Sequence, residues 1–196
     1  DQSETVSIPE FVSKQGRLIA PSVDVDAITL AQFTGWFVAE GCATEHYSKT
    51  QGNCRKRISI SQNEGPKADW IRNIVAALPW RFRENVYQSG HVTFTCSSAQ
   101  LFWFLQDCGK LAHGKQVPGW VKAGSKAVIN AFLEAAIAGD GWTQQREGQR
   151  QHRTYATVSR KLADDIQELF IKSGTAANIR TVPSKGPCPI GSTTGT

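Results

Sequence analysis

Two carboxylates, Glu40 and Asp140, stand 100 residues apart in closely similar settings. Each closes a run of small and apolar residues and is followed by glycine: FTGWFVAEG at 33–41 and LEAAIAGDG at 133–141. If each run is a helix, each acid falls at its C-terminal end, where the peptide dipoles leave partial negative charge and a carboxylate is unfavourable. Two such acids on paired helices also repel each other. A bound cation reverses both penalties, so the pair is a candidate metal site.

The runs themselves say how the acids could be brought together. Gly35 and Ala39 are four apart, as are Ala135 and Gly139 at the matching positions. Residues four apart share a helix face, and small residues there let two helix backbones approach closely. Gly41 and Gly141 suit the left-handed conformation that stops a helix. Asp26 or Thr29 can cap the first helix.

Residues 1–27, punctuated by Pro9 and Pro21, read as an extension with a short helical turn, from which Ile8, Phe11, Val12, Leu18 and Ile19 could pack on the body. Residues 28–109 then give a helix to Glu40 and a hairpin over 44–62 turning at TQGN. A helix over 67–78 carries the stripe Ile71, Ile74, Val75 and Leu78, and a second hairpin over 80–96 leads to a helix closed by Gly109. After a Gly- and Lys-rich linker, 110–125, the order restarts in 126–196. A helix over 126–139, a hairpin over 142–158, a helix over 162–173 and a strand over 176–182 are expected. Ala68-Asp69 and Ile71 recur as Ala163-Asp164 and Ile166, now 95 residues on, so the first hairpin region is five residues longer than the second. This is a sign of duplication independent of the motif.

Paired motifs with this element order resemble the LAGLIDADG homing endonucleases, in particular the single-chain type found inside inteins, over Ile28 to Val182. The resemblance implies an α+β fold of two pseudo-symmetric αββαββα halves. Their antiparallel, saddle-shaped sheets would carry helices on one face, and the second half would be cut in its second hairpin, without its final strand and helix. It implies a sequence-specific endonuclease that hydrolyses both strands of duplex DNA in homing of an intein or intron. Glu40 and Asp140 would be catalytic acids holding Mg²⁺, which suits an all-oxygen site. Gln62 falls near the polar residue that orients the attacking water, with Arg160 or Lys161 as its second-half counterpart. The lysine that the family adds late in the second hairpin of each half has no equivalent in Thr95–Ser97; in the second half Lys185 could serve. A LAGLIDADG scaffold that binds DNA, or RNA as a splicing helper, without cutting is the alternative. An unrelated α/β binding protein with a helical packing seam is a third reading, against which the repeated element order argues. Neither end carries splicing residues: the chain begins at Asp1 and contains no His-Asn pair.

A two-stranded ribbon fits the major groove, where Arg reads guanine and Gln or Asn reads adenine. The first hairpin offers Lys49, Gln51, Arg55, Arg57, Ser59 and Ser61, with Arg81 and Arg83 continuing the surface. The second offers Gln144, Arg146, Arg150, Arg153 and Arg160. Strand 55–62 alternates, with Lys56, Ile58 and Ile60 on one face and Arg and Ser on the other.

The net charge of +5 permits such a polyanionic partner. With 40% apolar residues the chain suits a globular protein, and no apolar run reaches membrane-spanning length. The chain does not open with the basic-then-apolar pattern of a signal peptide, and the five cysteines form no CxxC pair and read as small buried thiols. A cytoplasmic protein in a bacterial, phage or organellar interior is expected, monomeric or completed by a C-terminal segment or a second chain. The absence of any Met and the Asp1 start suggest a fragment or a processed product.

Overall fold

The structure is a computed structural model and describes residues 4–48, 53–144 and 152–183. Its centre is a pair of helices. Helix α1, Ala27–Glu40, is buried almost all round, from Leu30 and Phe33 to Val38 and Ala39. That is the signature of a helix inside a core. Asp26 caps it, its carboxylate accepting from Thr29 N at 2.8 Å and from the Thr29 hydroxyl at 2.8 Å.

Four strands precede α1. β1 (Thr5–Ile8) pairs antiparallel with β4 (Val23–Asp26), and β2 (Phe11–Val12) with β3 (Leu18–Ala20). The expected helical turn in residues 1–27 is therefore corrected to two short antiparallel pairs, the β2–β3 hairpin nested between β1 and β4. The alternation of Thr5, Val6, Ser7 and Ile8 was the local signal, and Ile8 and Val25 are buried in the core. Gln100 locks this segment down, donating to Pro9 O at 2.8 Å and Pro21 O at 2.7 Å while accepting from the Trp80 indole at 3.1 Å.

After α1 come β5 (Gly41–Ser48), β6 (Asn53–Asn63), α2 (Pro66–Ala77), β7 (Phe82–Val86), β8 (His91–Cys96) and α3 (Ala99–Phe104), whose last turn tightens to a 3₁₀ helix over Leu105–Cys108. The strands form one antiparallel sheet in the order β5-β6-β8-β7. Ile58, Ile60, Val92, Phe94 and Cys96 are buried on the helix side.

The linker holds two short helices, α4 (Leu111–Gly114) and α5 (Gly119–Ala123), and buries Val117 and Val121. Helix α6, Lys126–Asp140, follows its cap at Ser125. Then come β9 (Gly141–Gln144), β10 (His152–Tyr155) and α7 (Arg160–Lys172). Residues 173–183 form no regular strand, against the expectation for 176–182; Gln167 Nε2 instead donates to Ala177 O at 2.8 Å, tying this stretch to α7.

Both halves therefore open as helix, hairpin, helix. The duplication extends to the register: Ile60 pairs with Gly41 as Tyr155 pairs with Gly141. Cys96 and Cys108 are buried as expected, whereas Cys42 and Cys54 are exposed.

A candidate paired-acid site and nucleic-acid face

The seam between α1 and α6 is set by glycines. A Cβ at Gly35 would fall 2.5 Å from Phe132 O and 2.8 Å from the Ala135 Cβ. One at Gly139 would fall 2.3 Å from the Ala39 Cβ and 3.4 Å from Glu40 Cγ. The four small residues picked out by their spacing are the ones in contact, and their contact sets the two acid-bearing ends side by side.

Gly41 and Gly141 do a different job from the one expected. Both are extended, with φ −90° and −126°, not left-handed. The chain passes straight from helix to strand, and there is no room for a side chain. A Cβ at Gly41 would lie 2.4 Å from Phe37 O, and one at Gly141 would lie 2.4 Å from Thr154 O.

Glu40 and Asp140 themselves are exposed at their tips. Burial of part of each carboxyl, followed by the charge of Asp140, pushes Glu40 up from its ordinary value, against Lys67, Lys115 and His91, which pull it down. Burial likewise raises Asp140, against Lys115 and the nearby Tyr155 hydroxyl. Burial, then Asp140 and Glu40, push the Tyr155 phenol up. That hydroxyl is buried and lies close to Asp140, but among the described residues it makes no hydrogen bond of good geometry.

Among the described residues no three His, Cys, Asp or Glu side chains cluster. The site is two carboxylates and, beside Asp140, the buried Tyr155 hydroxyl. Such an oxygen set fits a hard divalent ion that keeps waters and takes further ligands from a phosphate. Glu40 and Asp140 are the residues that would hold it.

The sheet of the first half sorts its charges. Paired residues in register put Cys42 and Thr44, Arg55, Arg57, Ser59 and Ser61, Thr93 and Thr95, and Arg83 and Asn85 on the face away from the helices. Ser61 and Thr93 share a hydroxyl hydrogen bond at 3.1 Å there. The acids of these strands lie on the other side: Glu45 pairs with Lys56, and Glu84 with Arg72 at 2.6 Å. The open face is thus basic and hydroxylic.

Gly41, the residue after Glu40, pairs with Ile60, and Gln62 lies two residues further along β6, opposite Val92. The Gln62 Oε1 accepts from Asn63 N at 2.9 Å. Lys161 is not brought to the acids: it opens α7, and its ammonium donates to Asp165 at 2.6 Å. The shared register makes Thr157, not Arg160 or Lys161, the equivalent of Gln62. Arg160 is also on α7, paired with Asp164 at 3.1 Å. Arg153 lies on β10 opposite Thr143, Gln144 ends β9 opposite His152, and Arg81 is exposed just before β7. Lys49, Gln51, Arg146, Arg150 and Lys185 lie outside the described residues.

Sequence reasoning missed Lys115, Lys67, His91 and Tyr155 as neighbours of the acids. For Tyr155 a signal existed: the 95-residue offset aligns it with apolar Ile60, so a phenol stands where the first half has only hydrocarbon. Lys115, in an irregular linker, gave none.

Residues 127–191 match the family model described as a LAGLIDADG-like domain. A DNA polymerase of Thermococcus kodakarensis is 28% identical over 165 residues, covering 83% of this chain. A DNA gyrase protein of Mycobacterium gordonae is 34% identical over 67 residues, or 34% of this chain. The chain spans only 9% and 12% of the lengths of these two proteins. Among solved structures, I-DmoI in complex with DNA and Mn superposes with a TM-score of 0.58 at 12% identity, covering 81% of this chain and 84% of that one. The same protein has also been solved with DNA in the presence of Ca and of Mg.

The chain thus shares the fold of that I-DmoI structure, and the stretch that matches the LAGLIDADG-like domain, residues 127–191, is the one that carries Asp140.

Proposed function

We propose that this chain is a sequence-specific, divalent-metal-dependent DNA endonuclease belonging to an intein or intron, acting in the compartment that holds its DNA target. The observation that carries the reading is the delivery of one acid from each half to a single seam. There the two carboxylates raise each other's cost, and a cation is what would relieve it. The seam borders a sheet face rich in Arg, Ser and Thr, suited to the major groove.

In this reading the first-half strands seat the duplex, and Arg55, Arg57 and Arg83 contact phosphates or guanine edges. Each of Glu40 and Asp140 anchors a site for one strand. A bound Mg²⁺ would lower the pKa of a water and stabilise the departing oxygen. Gln62, two residues along β6 from the partner of Gly41, would orient a water by hydrogen bonding, with Thr157 as its second-half equivalent. Similarity to segments of a DNA polymerase and a DNA gyrase supports an element inserted in such host proteins.

The test is cleavage of a randomised duplex library with Mg²⁺. The wild type should make double-strand breaks at one sequence, and Glu40→Gln and Asp140→Asn should each abolish cutting of at least one strand. The engagement of Lys161 by Asp165 favours a second reading, a LAGLIDADG scaffold that binds nucleic acid without cutting. Enrichment of one sequence by binding with no breaks would select it.

A further inference from the structure

Lys115 reaches the acid pair from neither motif helix and neither sheet. It belongs to the linker, between α4 and α5, and the linker is pinned on both sides of it. The Ser159 hydroxyl, on a residue 1% exposed, donates to Lys115 O at 2.6 Å. Gln116 N donates to Cys108 O at 2.9 Å and Gln116 Nε2 to Asp107 O at 2.9 Å. Val117 N donates to the buried Asp165 at 3.0 Å. Three consecutive residues are thus tied to two parts of the chain, the 3₁₀ turn after α3 and α7 with its cap.

With its backbone fixed, Lys115 donates its ammonium to Ala39 O at 3.0 Å. Ala39 is the residue before Glu40, and its carbonyl lies in the last turn of α1. A cation there is favoured by the helix dipole and satisfies an orphan acceptor. The ammonium acts on both acids, whereas Lys67 and His91 act on Glu40 alone. A single lysine from the linker therefore serves a site built from two halves.

We propose that Lys115 is a positioning residue, the fixed counter-charge of the Glu40–Asp140 pair, which weakens the pair's hold on a divalent ion until DNA phosphates arrive. The inference rests on reading the pair as a metal site. Lys115 offsets one of the two negative charges of the acid pair, and its removal leaves the seam one positive charge poorer. An incoming phosphate restores the negative charge that the lysine cancels, so metal and DNA binding become coupled.

The experiment is Mn²⁺ binding to the full chain without DNA, followed by electron paramagnetic resonance, for the wild type, Lys115→Gln and Lys115→Arg. Glutamine retains a donor for Ala39 O without the charge; arginine retains the charge. Lys115→Gln should bind Mn²⁺ about tenfold more tightly, the factor for a unit charge against a divalent ion roughly 6 Å away at the dielectric of water. Lys115→Arg should match the wild type. A merely structural role would lower the melting temperature of Lys115→Gln without tightening Mn²⁺ binding. If wild type binds and Lys115→Gln binds no tighter, or Lys115→Arg behaves as Lys115→Gln, the role of Lys115 is overturned and the metal site stands. If neither wild type nor Lys115→Gln binds Mn²⁺ at millimolar concentration, the metal-site reading falls and this proposal with it.

Discussion

Gly139 and Ala39 touch across the seam of α6 and α1 so closely that a Cβ on Gly139 would lie 2.3 Å from that of Ala39. Real Cβ atoms do not approach to that distance, so a side chain at 139 must push the helices apart. Gly35 is as constrained, facing the Phe132 carbonyl at 2.5 Å, and a backbone atom cannot turn aside. Gly35→Val and Gly139→Val should each destabilise by about 1–3 kcal/mol or more, the cost of overpacking a close-packed core. Gly119→Ala, with open space at its Cβ, should change little. Urea unfolding of the three variants checks this; equal stability of all three would mean that the helices are not in contact as described.

The acid pair gives a pH dependence whose sign is unusual for carboxylates. Burial raises both Glu40 and Asp140, and each further feels other charges at the seam. A folded-state pKa above the unfolded one means that the native state binds protons more readily. The metal-free protein therefore loses this contribution as pH rises through the carboxylate range. At neutral pH without metal, Glu40→Gln and Asp140→Asn should each melt above the wild type. The gain should be small, because both acids are solvated at their tips. Addition of Mn²⁺ should raise the melting temperature of the wild type and leave the double variant unmoved. Variants that melt below the wild type throughout the titration would mean that the acids are stabilising as they stand.

Asp165 is the opposite case. It is 1% exposed on α7 and accepts from Val117 N, Lys161 and Lys122. Burial alone would raise it, but these three partners outweigh burial and hold it below the usual carboxylate range. Its contribution is present above the unfolded-state pKa and is lost as pH falls through the depressed folded value. Asp165→Ala leaves the Val117 amide without its acceptor and should cost roughly 3 kcal/mol, the scale for breaking a buried charged pair. Because Val117 lies two residues from Lys115, this variant should also loosen the linker. Hydrogen exchange at the Val117 amide, slow in the wild type and fast in the variant, would register that directly.

The parts of this molecule legible in its sequence are those with a repeating physical signal. The small residues of α1 and α6 recur at the same spacing, which makes the seam readable, and with it the acids at its end. The alternation of Ile58 and Ile60 with Arg57, Ser59 and Ser61 marks the two faces of β6. The extension is hard to read because each of its strands is at most four residues long, too short for a period to stand out beside two prolines. Gly41 and Gly141 suit helix termination by conformation, whereas the crowding of Phe37 and Thr154 around them is a tertiary fact. Lys115 reaches Ala39 across 76 residues of chain through a linker of irregular form, and no local pattern encodes such a contact.

The last prediction separates the sheet face from the helices as the seat of DNA. Arg57 and Arg83 lie on the open face of the first sheet, in register with Thr44 and Thr95. Arg160 lies on α7, engaged by Asp164. If the duplex lies on the sheet, Arg57→Ala and Arg83→Ala should weaken DNA binding, and Arg160→Ala should leave it nearly unchanged. Salt titration then sorts the first two. An arginine that contacts phosphate lowers the slope of log K against log salt by about one when removed. One that reads a guanine costs about 1–3 kcal/mol at its own base pair and relaxes the sequence preference there. Fluorescence anisotropy across a salt series, on the enriched target and on a scrambled duplex, measures both. A loss of binding confined to Arg160→Ala would move the duplex off the sheet and onto α7, and the major-groove reading of the strands would have to be given up.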